Sequence, residues 1–72
     1  MMYGFVIRSA VRGSLLAGWG ASPEEARREA EADYPAHVLR GGGVRAFSPE
    51  EWESPEVARM RRGESVSLRP GV

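Results

Sequence analysis

The tripeptide Ser-Pro-Glu occurs three times, at residues 22–24, 48–50 and 54–56. Few short motifs constrain a chain so tightly. A serine hydroxyl accepts from the backbone N–H three residues on, and proline carries the helical φ without an N–H to leave unpaired. An acidic residue in the first turn complements the positive end of the helix dipole. Ser22-Pro23-Glu24-Glu25 and Ser48-Pro49-Glu50-Glu51 add a glutamate at the third helical position, where its carboxylate reaches back to the cap. Three helix starts are therefore marked, and any strands must fit between them. The spacings of 26 and 6 differ, so this is one capping device reused rather than a solenoid repeat.

The first start predicts a helix over 23–33. Glu24/Arg28 and Arg27/Glu31 are oppositely charged pairs four apart, and Ala26, Ala30 and Tyr34 form a thin stripe able to press onto a sheet. Pro35 restricts Tyr34 and ends the helix. Ahead of it, residues 2–10 alternate, with Tyr3, Phe5 and Ile7 on one side and Gly4, Val6 and Arg8 on the other, which predicts a half-buried strand. Val11-Arg12-Gly13-Ser14 reads as a turn, and Leu15 to Trp19 as the returning strand, its end weakened by Gly18 and Gly20.

Beyond the helix, His37–Arg40 and Val44–Phe47 are strand-like runs around Gly41-Gly42-Gly43, as a hairpin with a loose turn or one strand with a bulge. Residues 49–53 predict a single turn and 55–62 a short helix ended by Gly63, with Arg59, Arg61 and Arg62 near its negative end. Ser65 to Arg69 reads as a last strand. The expected order is β-β-α-β-β-α-β. That is a single α+β domain, residues 1–72, with a mainly antiparallel sheet and one or two short helices on one face.

Composition narrows the function. Without cysteine there is no disulfide scaffold, zinc ribbon or thiol catalysis. Ten arginines balance nine glutamates and one aspartate, and a net charge of zero argues against an all-over nucleic-acid binder. No run approaches the ~20 apolar residues of a membrane span. The start shows no basic region followed by an apolar run, so the expectation is a cytoplasmic chain without a signal peptide. Of the 72 residues 42% are hydrophobic, and nine of those are alanine. Such a core covers a sheet face but does not enclose a cavity of several hundred cubic ångströms, so binding by a surface is the expectation.

The candidate chemical groups are few. His37 is the only histidine, and it reads as an exposed strand-start residue; an enzymatic reading would need it beside a serine and a carboxylate. One His and one Asp leave no metal-ligand set, so neither a metal nor another cofactor is expected. The triple glycine lacks the following Lys and Ser/Thr of a phosphate loop and reads as a loop tip between Arg40 and Arg45. Trp19 and Trp52 read as partial core, with interface anchors as the alternative.

Charge is segregated along the chain. Residues 48–56 carry −4 and residues 57–72 carry +3. One explanation is dipole complementarity at the two ends of one short helix. The other is a bipolar surface that docks onto a charged partner, with Arg40, Arg45, Arg59, Arg61 and Arg62 supplying forked contacts to phosphate or carboxylate. Alternatively, Glu50, Glu51, Glu53 and Glu56 imitate a row of phosphates facing a basic nucleic-acid channel.

Tyr3–Ala10 followed by Ala21-Ser22-Pro23-Glu24-Glu25-Ala26-Arg27 resembles the layout of small phage anti-CRISPR proteins. These are compact α+β inhibitors, some of which bind the guide-RNA-holding subunits of a type I surveillance complex. The layout is also similar to HicB-type antitoxin domains, in which hairpin strands precede a helix opened by Ser/Thr-x-Glu-Glu-Ala. That family usually has a longer strand region and often a separate DNA-binding segment, for which this chain leaves little space. The first resemblance implies a non-enzymatic inhibitor that occludes a nucleoprotein complex. Its partner would be a protein subunit of that complex, with direct nucleic-acid contact secondary and no membrane partner. The second implies neutralisation of a co-encoded toxin. Either role suits a monomer or a homodimer.

Overall fold

A computed structural model describes residues 1–9 and 13–66. Along the chain run β1 (Met2–Ser9), β2 (Gly13–Gly20), α1 (Pro23–Asp33), α2 (Ala36–Leu39), β3 (Gly43–Phe47), α3 (Pro49–Trp52) and α4 (Pro55–Arg61). The three strands form one antiparallel sheet in the order β2-β1-β3, giving a small α+β fold.

Each Ser-Pro-Glu site starts a helix. The Ser22, Ser48 and Ser54 hydroxyls accept from the N–H groups of Glu25, Glu51 and Val57 at 3.2, 3.1 and 3.3 Å. At α3 the capping box closes both ways, with the Ser48 N–H donating to Glu51 Oε1 at 2.9 Å. At α1 the return arm lands one residue early, on the Ala21 N–H at 3.3 Å. The far end of α4 is closed as the sequence predicts. Gly63 takes φ +91°, and the N–H groups of Gly63 and Glu64 donate to the carbonyls of Met60 and Arg59, both at 3.1 Å.

The sheet is covered on both faces, which corrects the expectation of helices on one. On one face α1 and α2 bury Phe5, Ala17, Ala30 and Leu39, with Ile7, Tyr34 and Val44 alongside. On the other, α3 and α4 close over Val6, Leu16, Phe47, Val57, Met60 and Val66, joined by Trp52. The alternation in β1 is as read, but both of its sides face protein. Gly4, Phe5 and Val6 are buried in succession, so β1 is a central strand and not a half-buried one.

A β-bulge sets what β2 presents. Phe5 pairs with Gly18 and Val6 with Leu16, which leaves Ala17 as an extra residue. Leu16 and Trp19 therefore reach the same face, although they are three apart and strict alternation would separate them. Ala17 and Gly18 both turn to α1. A side chain at Gly18 would collide with the backbone of α1 at Ala26, Glu29 and Ala30, which is why the fully buried Ala26 and Ala30 can sit so close.

Two segments depart from the expected order. Residues 37–40 do not form a strand: Ala36–Leu39 is a helical turn after Pro35. Both edges of β1 are taken, by β2 and β3, and the turn instead buries Leu39 against the Phe5 cluster. Of the last strand read over Ser65–Arg69, only a single bridge from Val66 to Ser14 is seen, with mutual N–H···O bonds of 2.7 Å; residues 67–69 lie outside the described residues. The turn read at Val11-Arg12 also lies outside them, although Gly13 has the expected positive φ of 93°. The anticipated Glu24/Arg28 and Arg27/Glu31 pairs are absent from the ion pairs of the described residues.

Candidate binding face

On the α3/α4 side three aromatic rings form a row from core to surface. Phe47 is fully buried, Trp52 stands edge-on to it with centroids 5.6 Å apart, and Trp19 stands edge-on to Trp52 at 6.3 Å. Two guanidinium groups cap the row: Arg45 lies 4.4 Å over Phe47 and Arg61 4.8 Å over Trp52. Arg61 also donates to the Trp52 carbonyl at 3.1 Å, which ties α4 to the end of α3. Trp19 at the end of the row is 36% exposed, so it is a rim residue and not the partial core expected of it. Trp52 is half-buried, as expected.

The structure sorts the nine candidate charges into bound and free. Glu51 uses one carboxylate oxygen on the Ser48 N–H and the other on Arg45 at 2.6 Å. The Ser48 N–H first, and Arg45 with it, holds the Glu51 carboxyl below its ordinary range. Arg59 and Arg62 share Glu64 at 2.9 and 3.4 Å, and the Arg59 bond is the largest cause of the lowered pKa of Glu64. Arg61 lies on Trp52, and Arg40 stands apart at the end of α2. Among the described residues, Glu50, Glu53 and Glu56 are exposed and have no basic side chain within 4.0 Å.

The basic block is thus largely spent within the molecule, whereas the acidic block faces solvent. Spacing marked the acidic starts. It could not show that Trp19 meets Trp52 of α3, because that depends on the bulge in β2.

The remaining candidates stay isolated. His37 is exposed on α2 and has no hydrogen bond or ion pair among the described residues. No three His, Cys, Asp or Glu side chains cluster as a metal site among those residues, and no helix there is long and apolar enough to cross a membrane. A shallow depression of about 330 Å³ lies on the other face, lined by Pro23, Glu24, Arg27, Arg28, Glu31 and Val44. No family model matches the chain, and comparison with curated proteins and with solved structures yields no match.

Proposed function

We propose that this chain is a non-enzymatic binding protein that inhibits a nucleoprotein complex by occlusion. Its docking surface is Trp19 with the acidic starts of α3 and α4, and its target is a protein subunit of a type I CRISPR surveillance complex. The observation that carries this reading is the exposed Trp19 set edge-on against Trp52, which in the chain lies between Glu51 and Glu53. Glu50, Glu53 and Glu56 have no ion-pair partner among the described residues. An aromatic anchor at such a rim supplies burial on docking, while the unpaired carboxylates steer it toward a basic groove that otherwise holds nucleic acid. Since the arginines of α4 are held by Glu64 and Trp52, docking through them would first break those contacts.

The test is binding of the purified chain to the isolated subunits of such a complex, alone and with guide RNA present. Expected are micromolar or tighter binding, competition by RNA, and a marked loss in the triple variant Glu50→Lys, Glu53→Lys, Glu56→Lys. Trp19→Ala should mainly speed dissociation, while Arg59→Glu with Arg62→Glu should leave affinity nearly unchanged. No binding to any subunit would overturn the assignment of target. Equal losses in the acidic and basic variants would overturn the assignment of face.

A further inference from the structure

We infer that β3, together with the groove beside α1, is a self-association surface that takes a second copy of this chain. It is separate from the face assigned above. Among the described residues β3 pairs only with β1, which leaves its outer edge without a ladder partner there, whereas the outer edge of β2 is met by Val66 at Ser14. Natural edges are usually guarded by Lys, Pro or a charge pointing inward. Gly43-Val44-Arg45-Ala46-Phe47 has neither Lys nor Pro. Its single charge, Arg45, is turned to the α3/α4 side, held by Glu51 at 2.6 Å and lying over Phe47. The α1 side of β3 carries only Val44 and, two residues on, the exposed Ala46.

The groove itself argues for the occupant. α1 leaves a depression of about 330 Å³ floored by Val44, and its wall carries Glu24, Arg27, Arg28 and Glu31. None of these four forms an ion pair among the described residues, and Arg27 lies 5.4 Å over the Phe5 ring. A two-fold interface brings the same patch against itself, so the patch must complement itself. In register, antiparallel α1 helices would set Glu24 against Glu31 and Arg27 against Arg28. The wall therefore complements itself when the helices pass offset by about one turn, Glu24 of each copy then meeting Arg27 or Arg28 of the other; a uniformly charged partner would be repelled by half of it. Antiparallel addition of β3 to β3 of a second copy continues the three-stranded sheet to six strands. It also sets the two α1 helices antiparallel on one side of that sheet, flanking a shared trough.

Sedimentation equilibrium of the full chain across the micromolar range tests this, with two wall variants. Arg27→Glu with Arg28→Glu makes the wall all acidic, and Glu24→Arg with Glu31→Arg makes it all basic. Wild type is expected to dimerise, and each variant to do so at least roughly tenfold more weakly because like charges then oppose each other. An equimolar mixture of the two variants should recover a one-to-one dimer that weakens with salt. Ala46→Asp, at an exposed position, should abolish the dimer while melting as the wild type does at concentrations too dilute for dimer, and Trp19→Ala should leave the dimer intact. A wild type that stays monomeric, or a variant mixture that associates no better than its components, would overturn the inference.

Discussion

Gly18→Ala should be among the most damaging single changes in this chain, although it adds one methyl group. The new Cβ would meet the Ala26 carbonyl oxygen and the Glu29 carbonyl carbon, both at 2.8 Å, and the Ala30 nitrogen closer still. All three are backbone atoms of a helix, so no rotamer change relieves the collision, and α1 must lift from the sheet. Overpacking of this kind costs about 1–3 kcal/mol, and backbone neighbours put this case at the upper end. At about 0.05–0.15 kcal/mol per residue, a chain of this length holds roughly 4–11 kcal/mol in all. A loss of about 3 kcal/mol lowers Tm by about 12–24 °C in a domain of this size. Gly41→Ala is the control. Nothing lies within 4 Å of its Cβ and its φ is not positive, so reduced freedom of the unfolded chain should stabilise it by about 0.4–1 kcal/mol. Thermal and urea unfolding followed by circular dichroism measure both. If Gly18→Ala melted within about 2 °C of Gly41→Ala, the close seating of α1 on β2 would be refuted.

Two further outcomes follow from the α3/α4 face. Trp52→Ala removes edge contacts to both Phe47 and Trp19 and the platform beneath Arg61, and should cost about 2–3 kcal/mol in urea unfolding. A cost below about 1 kcal/mol would mean the aromatic row does not hold α3 to the sheet. The second outcome concerns pH. Glu51 and Glu64 both have lowered pKa values, from the Ser48 N–H and from Arg59 respectively. A carboxylate with a lowered folded value adds stability that is fully present above its unfolded value and is lost as pH falls through the folded one. Glu51→Gln with Glu64→Gln should therefore flatten the fall in urea midpoint through the carboxylate range. An acid limb as steep as that of wild type would contradict these assignments.

Much of the fold is written in local signals. A capping hydroxyl and its N–H are three residues apart, so Ser22, Ser48 and Ser54 mark their helices without help from distant chain. The hairpin of β1 and β2 and the α1 stripe of Ala26 and Ala30 are legible for the same reason, because periodicity is a local property. The run 37–40 was not. Val38 and Leu39 suit a strand, but after Pro35 the run takes a helical turn that buries Leu39 against the Phe5 cluster, a packing choice that only the distant β1 residue reveals.

The candidate site divides in the same way. Sequence alone located the acidic starts and the segregated charge. It did not show which charges stay free, since Arg45 finds Glu51, and Arg59 and Arg62 find Glu64, only once the helices are placed. It did not place Trp19 beside Trp52 either, because 33 residues separate them and the bulge at Ala17 decides which face Trp19 takes. The sequence by itself therefore determined where the three serine-capped helices begin and the class of fold. The tertiary structure decided which faces are covered and which charges and rings are left to meet a partner. Those choices depend on non-local pairing, and one extra residue in a strand reverses the face of every side chain beyond it.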